Sequence, residues 1–97
     1  MAKGYRILAF RLKTPLGEID LLASKAGVIA VVEVKRRARL ADALDAVTPR
    51  QRERLVRAAR SLTARRPGLS TAAIRLDLIA LAPGRLPRHI ADAWRER

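Results

Sequence analysis

Three carboxylates and one lysine interrupt two otherwise apolar segments in the first third of the chain. Glu18 and Asp20 stand two residues apart in "GEIDLLAS", and Glu33 and Lys35 stand two apart in "VIAVVEVKR". Residues two apart in a strand share a face. If the two segments form a hairpin about "KAG", all four side chains can lie together on one face of a sheet.

Such a cluster can do metal-assisted phosphate chemistry. Carboxylates buried in a sheet are costly unless they are paired, hydrogen-bonded or bound to a metal. Asp20 and Glu33 would repel each other, and a divalent cation would remove that penalty. With no cysteine and one histidine in the chain, oxygen ligands favour Mg²⁺ or Mn²⁺. Lys35 could then orient or activate a water and stabilise charge on a phosphate.

A structural interpretation of the same residues stays open. Asp20, Glu33 and Lys35 can form a set of ion pairs on a half-exposed sheet face. Exposed cross-strand pairs of this kind contribute only about 0.2–1 kcal/mol each, so the cluster would then have little consequence for stability.

The two acidic segments are predicted to be strands of an antiparallel meander. Alternation and β-branched content predict strands at 5–13, 18–24 and 28–36. The first would place Ile7 and Ala9 on one side and Phe10 on the other. The third is nearly continuous in apolar character, which is typical of a central strand.

A helix is predicted to begin after Thr48 and to end near Arg65. Thr48 suits the N-cap, Pro49 suits the first helical position, and Gln51 completes a capping box. Before it, 38–47 is a connection with a short helical turn. The apolar stripe of the helix is Leu55, Val56, Ala59 and Leu62.

The last third of the chain predicts one more strand and a tail. A strand at 72–82 follows the helix and is therefore expected to lie parallel to an earlier strand. In the tail, 83–97, the i, i+4 spacing of Ile90 and Trp94 favours a short helix. The prediction is one α/β domain, residues 1–97, with a mixed sheet in the order β-β-β-α-β.

The charge balance indicates a polyanionic partner. The chain has 21 basic and 9 acidic residues, a net charge of +12, and nucleic acid is the simplest partner for such an excess. No apolar run is long enough to cross a bilayer, and the segment "MAKGYRIL" lacks the apolar stretch that is typical of a signal peptide. We therefore expect a cytoplasmic protein without a membrane partner.

The spacing of the acidic cluster matches a known nuclease signature. Asp20, followed thirteen residues later by Glu33-x-Lys35, resembles the core motif of the PD-(D/E)xK nucleases. Over most of the chain, "GEIDL", "VEVK" and "AVTPRQ" in this order resemble the YraN family. That family belongs to the restriction-endonuclease-like superfamily and is similar to Holliday junction resolvases. The resemblance implies a restriction-endonuclease-like mixed sheet.

The same resemblance implies roles for individual residues. Asp20 and Glu33 would be the metal ligands and Lys35 the catalytic lysine. Glu18, in the "GEID" motif, would be a further acid. Gln51 matches the glutamine found at the start of the following helix in resolvase-like sites, a role compatible with the capping box.

The start of the chain departs from the family pattern. Family members usually carry a further helix before "GYRIL", whereas this chain begins "MAKGYRIL". The N-terminal helix of the family is thus expected to be missing. One face of the sheet would then be uncovered, and a homodimer could cover it.

The expected function is that of a Mg²⁺- or Mn²⁺-dependent endonuclease that hydrolyses phosphodiesters in structured or branched DNA. Two alternatives remain: a nucleic-acid-binding module that has lost nuclease activity, and an interaction protein whose open sheet face serves a partner. Asp77 is predicted to pair with an arginine, and His89 to be a surface residue. The candidate nucleic-acid contacts are Arg36, Arg37, Arg50 and Arg54.

Overall fold

A computed structural model describes residues 4–95, which form a five-stranded sheet with two helices packed on one face. In chain order the elements are β1 (Arg6–Thr14), β2 (Gly17–Lys25), β3 (Val28–Arg36), α1 (Leu40–Asp45), α2 (Pro49–Ala64), β4 (Ala73–Leu81) and β5 (Arg88–Ile90). The predicted mixed α/β class is confirmed. In the described part of the chain, neither helix is both long and apolar enough to cross a membrane.

The sheet combines an antiparallel meander with one parallel pair. Its spatial order is β1-β2-β3-β4-β5. The first three strands pair antiparallel, β3 pairs parallel with β4, and β4 pairs antiparallel with β5. A parallel pair needs a long crossover, and α1 and α2 supply it. The meander and the parallel fourth strand were both predicted.

The two faces of the sheet bury different side chains. On the helix side, Ile29 and Val31 of β3 pack with Leu55 and Ala59 of α2. On the opposite side, which we call the open side, the buried residues are Leu21, Ala30 and Val32, with Tyr5, Ile7 and Ile79 packed against them. Within residues 4–95, both hydrophobic clusters that include residues of α1 or α2 lie on the helix side of the sheet.

Local sequence signals account for α2. Gln51 donates its backbone N–H to Thr48 Oγ1 over 3.2 Å, and the Thr48 N–H donates to Gln51 Oε1 over 2.9 Å. This capping box, with Pro49 in the first turn, begins the helix as predicted. The buried positions of α2 are Leu55, Ala58, Ala59 and Thr63.

The predicted alternation of β1 is wrong. The register between β1 and β2 shifts between Ile7 and Ala9, so a single two-residue period does not describe the strand. Ala9 packs on the helix side, Ile7 packs on the open side, and Phe10 is 69% exposed. Such irregularities are common on edge strands, where they discourage pairing with another chain.

The C-terminal tail forms a short strand instead of the predicted helix. Residues 88–90 pair with β4 as β5, with Ile90 opposite Leu78. The chain then turns onto the helix side, where Trp94 Nε1 donates to the carbonyl of Leu44 over 2.9 Å. The guanidinium of Arg52 lies 5.5 Å from the Trp94 ring centroid. Long-range strand pairing, instead of a local helical pattern, thus sets the structure of the tail.

A fully buried carboxylate holds this tail against the sheet. Asp77 accepts two hydrogen bonds of 2.7 Å from Arg75, and its Oδ2 lies 2.8 Å from His89 Nε2. The Asp92 N–H donates to it over 3.0 Å. Burial raises the pKa of Asp77, but the hydrogen bonds from Arg75, Asp92 and His89 outweigh burial and leave that pKa lowered. The predicted Asp77–arginine pair is confirmed.

The prediction that His89 is a surface residue is wrong. Its side chain is 14% exposed and partners Asp77, and its ring stands edge-on to Tyr5 with centroids 5.5 Å apart. The His89–Asp77 contact joins residues twelve apart in the chain, and it arises only because β5 pairs with β4. No local sequence pattern predicts that pairing.

We expect Asp77→Ala to lower the free energy of unfolding by about 3 kcal/mol, because it leaves partly buried Arg75 and His89 without their acceptor. Asp42→Ala is the matched control. It removes the exposed ion pair with Arg39 and should cost about 1 kcal/mol or less. Urea denaturation of both variants measures the difference, and equal losses would contradict an anchoring role for Asp77.

Candidate active site

The sheet forks where the acidic residues lie. The β2–β3 ladder runs from Lys25 opposite Val28 to Leu21 opposite Val32 and ends there. Beyond that point β2 remains paired with β1 and β3 remains paired with β4. Asp20 and Glu33 are thus the first residues past the last pair, at the mouth of the fork.

Carboxylates replace the lost backbone acceptors at the fork. The Asp20 N–H donates to Glu33 Oε2 over 3.4 Å, and the Val34 N–H donates to Asp20 Oδ2 over 2.9 Å. Unpaired backbone N–H groups in a partly buried position are costly. The two acidic side chains therefore have a structural task as well as any chemical one, and each keeps further lone pairs for another ligand.

Strict alternation does not describe β2 at this point. Ile19 packs in the helix-side core, whereas Leu21 packs on the open side, although the two are only two residues apart. By the flanking register, Arg11 of β1 lies opposite Asp20, and its φ of +49° is in the left-handed region. At Arg11 of β1 and Asp20 of β2 the regular alternation of faces is therefore interrupted.

Within the cluster, Glu33 is the residue whose pKa is shifted. Glu33 is buried, with 8% of its surface exposed. Burial, followed by the negative charge of Asp20, raises the pKa of Glu33 to about 7, with a further small rise from Glu18. The Asp20 N–H and the charge of Lys35 act in the opposite direction. Asp20, Glu18 and Lys35 therefore all lie close enough to influence Glu33 electrostatically.

A cavity opens in front of Glu33 on the helix side. Glu18 and Glu33 line it from the sheet, and Gln51, Arg54 and Leu55 line it from α2. It encloses about 380 Å³ of space that is open to solvent. Gln51 uses its Oε1 for the capping box, which leaves its amide NH₂ as a donor. The capping role and a site role of Gln51 are geometrically compatible.

Neither Asp20 nor Lys35 lines the cavity itself. Lys35 follows Glu33 by two positions, and its register partner on β4 is Ala80. Arg36, Arg37 and Arg50 are exposed and are not among the lining residues, in contrast to Arg54. The strand order therefore brings the acids, Lys35, Gln51 and Arg54 to one region.

One contact at the site was not anticipated from the sequence. Arg11 Nε lies 3.5 Å from Glu18 Oε1, with both side chains exposed. An exposed pair of this type is weak, so it leaves Glu18 free to exchange partners. Only the register of β1 against β2 reveals it, because the two residues belong to different strands.

The donor set fits a magnesium-type site better than an all-protein metal cage. Within residues 4–95, no group of three or more histidine, aspartate or glutamate side chains could hold a metal ion. Asp20 and Glu33 supply two carboxylates. Mg²⁺ is commonly held by one or two carboxylates, with waters and substrate phosphates filling its other positions. Asp20 and Glu33 are thus the residues that would hold such a cation.

Comparison with known proteins identifies the family. The model of the family described as "Uncharacterised protein family UPF0102" matches residues 1–81. The chain belongs to UPF0102. It is 69% identical over 94 residues to a UPF0102 protein of Caulobacter vibrioides (strain NA1000 / CB15N), covering 97% of this chain and 75% of that protein. A UPF0102 protein of Rhodopseudomonas palustris (strain HaA2) is 53% identical, with coverage of 97% and 73%.

Membership of UPF0102 confirms the family that the sequence resembled under the name YraN. A third relative, the UPF0102 protein amb4503 of Paramagnetospirillum magneticum (strain ATCC 700264 / AMB-1), is 50% identical over 97 residues, covering 96% of this chain and 75% of that protein. The candidate site lies entirely within the residues that match the UPF0102 model, whereas β5 and His89 lie beyond them.

The raised pKa of Glu33 predicts a pH-dependent stability. A carboxyl group whose pKa rises on folding favours the fold in its protonated form. That contribution is complete below about pH 4.5 and is lost as the pH rises through about 7. In metal-free buffer, Glu33→Gln should therefore be more stable than the wild type at pH 8, by on the order of 1–3 kcal/mol.

The measurement is urea denaturation at pH 5 and pH 8 in the presence of a chelator. Glu53→Gln removes an exposed carboxylate of α2 and should change stability little at either pH. A wild type that gains no stability from pH 8 to pH 5 relative to Glu33→Gln would contradict the assignment.

Proposed function

We propose that this chain is a Mg²⁺-dependent endonuclease-like protein that hydrolyses phosphodiesters in structured or branched DNA, on a restriction-endonuclease-like fold. One observation carries the proposal: Asp20, Glu33 and Lys35 lie together at the fork between β2 and β3, beside a cavity that Gln51 and Arg54 line from α2. Acidic ligands, a lysine and donors for a phosphate are the parts that metal-assisted phosphodiester hydrolysis requires.

The acidic pair would hold the cation. Asp20 and Glu33 lie at adjoining positions of two strands and repel each other, which contributes to the raised pKa of Glu33. A bound Mg²⁺ or Mn²⁺ would polarise a phosphoryl oxygen and lower the pKa of a water. Cation binding would also favour the charged form of Glu33, so it should release a proton at neutral pH.

The remaining residues would position the substrate and the water. Lys35, close to Glu33, can orient the attacking water and stabilise charge on the phosphate. Arg54 and the free amide group of Gln51 face the same cavity from α2 and can donate to phosphate oxygens. Glu18 at the rim is a further acid that can accept a proton or a water.

The surrounding charge supports DNA as the substrate. The acidic cavity is set in a chain of net charge +12, so the bulk of the surface attracts phosphates while the cavity itself attracts cations. Among the described residues the aromatic side chains are Tyr5, Phe10 and Trp94, too few for a base-stacking platform. Recognition would therefore rest on backbone charge and shape, as suits structured or branched DNA.

A second candidate is a nucleic-acid-binding module without catalysis. Asp20 and Glu33 already accept hydrogen bonds from backbone N–H groups, and no third ligand joins them within residues 4–95. These features give the carboxylates a structural purpose that does not need a metal. Such a module would bind DNA with steep salt dependence, and Lys35→Ala would barely change that binding.

Cleavage assays separate the two candidates. We expect the purified protein to cut a linear, flapped or four-way DNA substrate with Mg²⁺ or Mn²⁺. Lys35→Ala and Glu33→Gln should each reduce the rate by at least about 100-fold, while Glu53→Gln keeps it. Calorimetry should show Mn²⁺ binding to the wild type and none to Glu33→Gln. Absence of cleavage on every substrate, together with absence of Mn²⁺ binding, would favour the non-catalytic module.

The two roles of Gln51 can be separated by mutation. Thr48→Ala removes the acceptor for the Gln51 N–H and should lower stability by about 1 kcal/mol without slowing cleavage. Gln51→Ala should lower stability by a similar amount and also reduce kcat by roughly tenfold or more, since it removes a donor near the phosphate. If both variants cleave at equal rates in folded form, Gln51 acts only as a cap.

A further inference from the structure

A second depression lies on the helix side, at the carboxyl ends of β3 and β4, and it is basic. Three arginines, Arg37, Arg85 and Arg88, line it. Its floor is apolar and includes Ala80 of β4 and Leu40 of α1. We call it the arginine groove. Arg85 and Arg88 come from the loop and strand that follow β4, a region in which the sequence predicted no functional residue.

The arginine groove adjoins the candidate active site. Lys35 is the register partner of Ala80 on β4, and Ala80 is in turn the register partner of Arg88 on β5. Register partners share a face, and neighbouring strands lie about 4.8 Å apart. The backbones at Lys35 and Arg88 are therefore roughly 10 Å apart across two strand spacings. The groove thus lies on the β4–β5 side of Lys35, whereas Arg54 lines the cavity from α2.

The charges of the groove are not neutralised by the described part of the protein. Among residues 4–95, the arginines that form ion pairs are Arg11, Arg39, Arg75 and Arg95. Within this described part of the chain Arg37, Arg85 and Arg88 form none, and no described carboxylate lines the groove. The hydrogen bond that Arg37 makes is to the carbonyl of Arg36, at 2.8 Å. Three like charges around one depression repel one another, and an anionic ligand would relieve that repulsion.

The backbone holds two of the three arginines in place. Arg88 belongs to β5, which Asp77 anchors through its neighbour His89. Arg85 follows Gly84, whose φ of +69° suits a turn, and its N–H donates to the carbonyl of Ala82 over 3.2 Å. The groove is thus built on an element that the buried Asp77 network positions.

We propose that Arg37, Arg85 and Arg88 bind the phosphodiester backbone of DNA where the strand leaves the active site on the Lys35 side. The identity of the ligand rests on the proposed function, because Lys35 of the candidate site and Arg88 of the groove lie on the same face of the sheet, two strands apart. Guanidinium groups bind phosphate oxygens bidentately, and contacts to the backbone position a duplex without reading its sequence. The groove therefore gives the protein a longer footprint on DNA, on both sides of the scissile phosphate.

The test is DNA binding by an Arg85→Ala/Arg88→Ala double variant. Fluorescence anisotropy with a labelled duplex and a four-way junction, in chelator and over a range of salt, separates binding from cleavage. We expect a Kd at least roughly tenfold higher, and a slope of log K against log salt that is smaller by about two for the loss of two phosphate contacts.

The matched control is Arg65→Ala/Arg66→Ala. It removes the same charge at the far end of α2, about 20 Å along the helix axis from Gln51. This control should weaken binding much less and leave the salt slope nearly unchanged. Equal losses in the two double variants would show a general charge effect and would overturn the groove.

The outcomes also separate the groove from the nuclease proposal. If both double variants bind DNA like the wild type while Mg²⁺-dependent cleavage persists, the proposed role of the groove is wrong and the nuclease proposal stands. If Arg85→Ala/Arg88→Ala alone loses DNA binding and no protein cleaves, the groove stands and catalysis fails. Vesicles of phosphatidylserine and phosphatidylcholine form a third arm: loss of vesicle binding with DNA binding intact would assign the groove to a membrane and overturn the proposal.

Discussion

The site depends on one constraint: at the fork between β2 and β3, side-chain carboxylates replace backbone carbonyls as hydrogen-bond acceptors. Where the two strands part, their backbone N–H groups lose their partners, and the carboxylates of Asp20 and Glu33 take the place of the missing carbonyls. Because each carboxylate binds the backbone of the opposite strand, the pair is held in register. The fork also opens the space that Gln51 and Arg54 face from α2. Structure and candidate chemistry share the same atoms.

In that arrangement the negatively charged form of Glu33 is electrostatically unfavourable. Glu33 is buried beside a second carboxylate, and its raised pKa records how unfavourable the charged form is there. A structural acceptor alone would not need this cost, since a glutamine could also accept the Asp20 N–H through its amide oxygen. A group that must bind a cation does need to become charged when the cation arrives. In the proposed function a bound cation would favour the charged form of Glu33, whereas the hydrogen bonds from the Asp20 and Val34 N–H groups explain how the acids are held without one.

The sequence predicts the elements with local signals and misses those that depend on distant pairing. The bounds of β3 and the start of α2 follow from continuous apolar character and from the capping box of Thr48 and Gln51. β5 and the buried position of His89 depend on Asp77, which lies twelve residues earlier in the chain. The irregular backbone at Arg11 likewise has no local signature. The grouping of Asp20 with Glu33 was foreseeable because a short hairpin joins their strands, but the fork that parts those strands was not.

The distribution of charge across the helix side connects the fork with the rest of the fold. Glu18 and Glu33 share their cavity with Arg54 of α2, and Lys35 is the register partner of Ala80, which lines the groove. Arg54 depends on the capping box, because that motif sets where α2 begins above the sheet. Arg88 depends on Asp77, because that carboxylate holds β5 against β4. The buried hydrogen bonds of Asp77 on the open side thus position the guanidinium of Arg88 on the helix side. A substitution of Asp77 would displace the charge of Arg88 at the groove and would leave the residues that line the cavity unchanged.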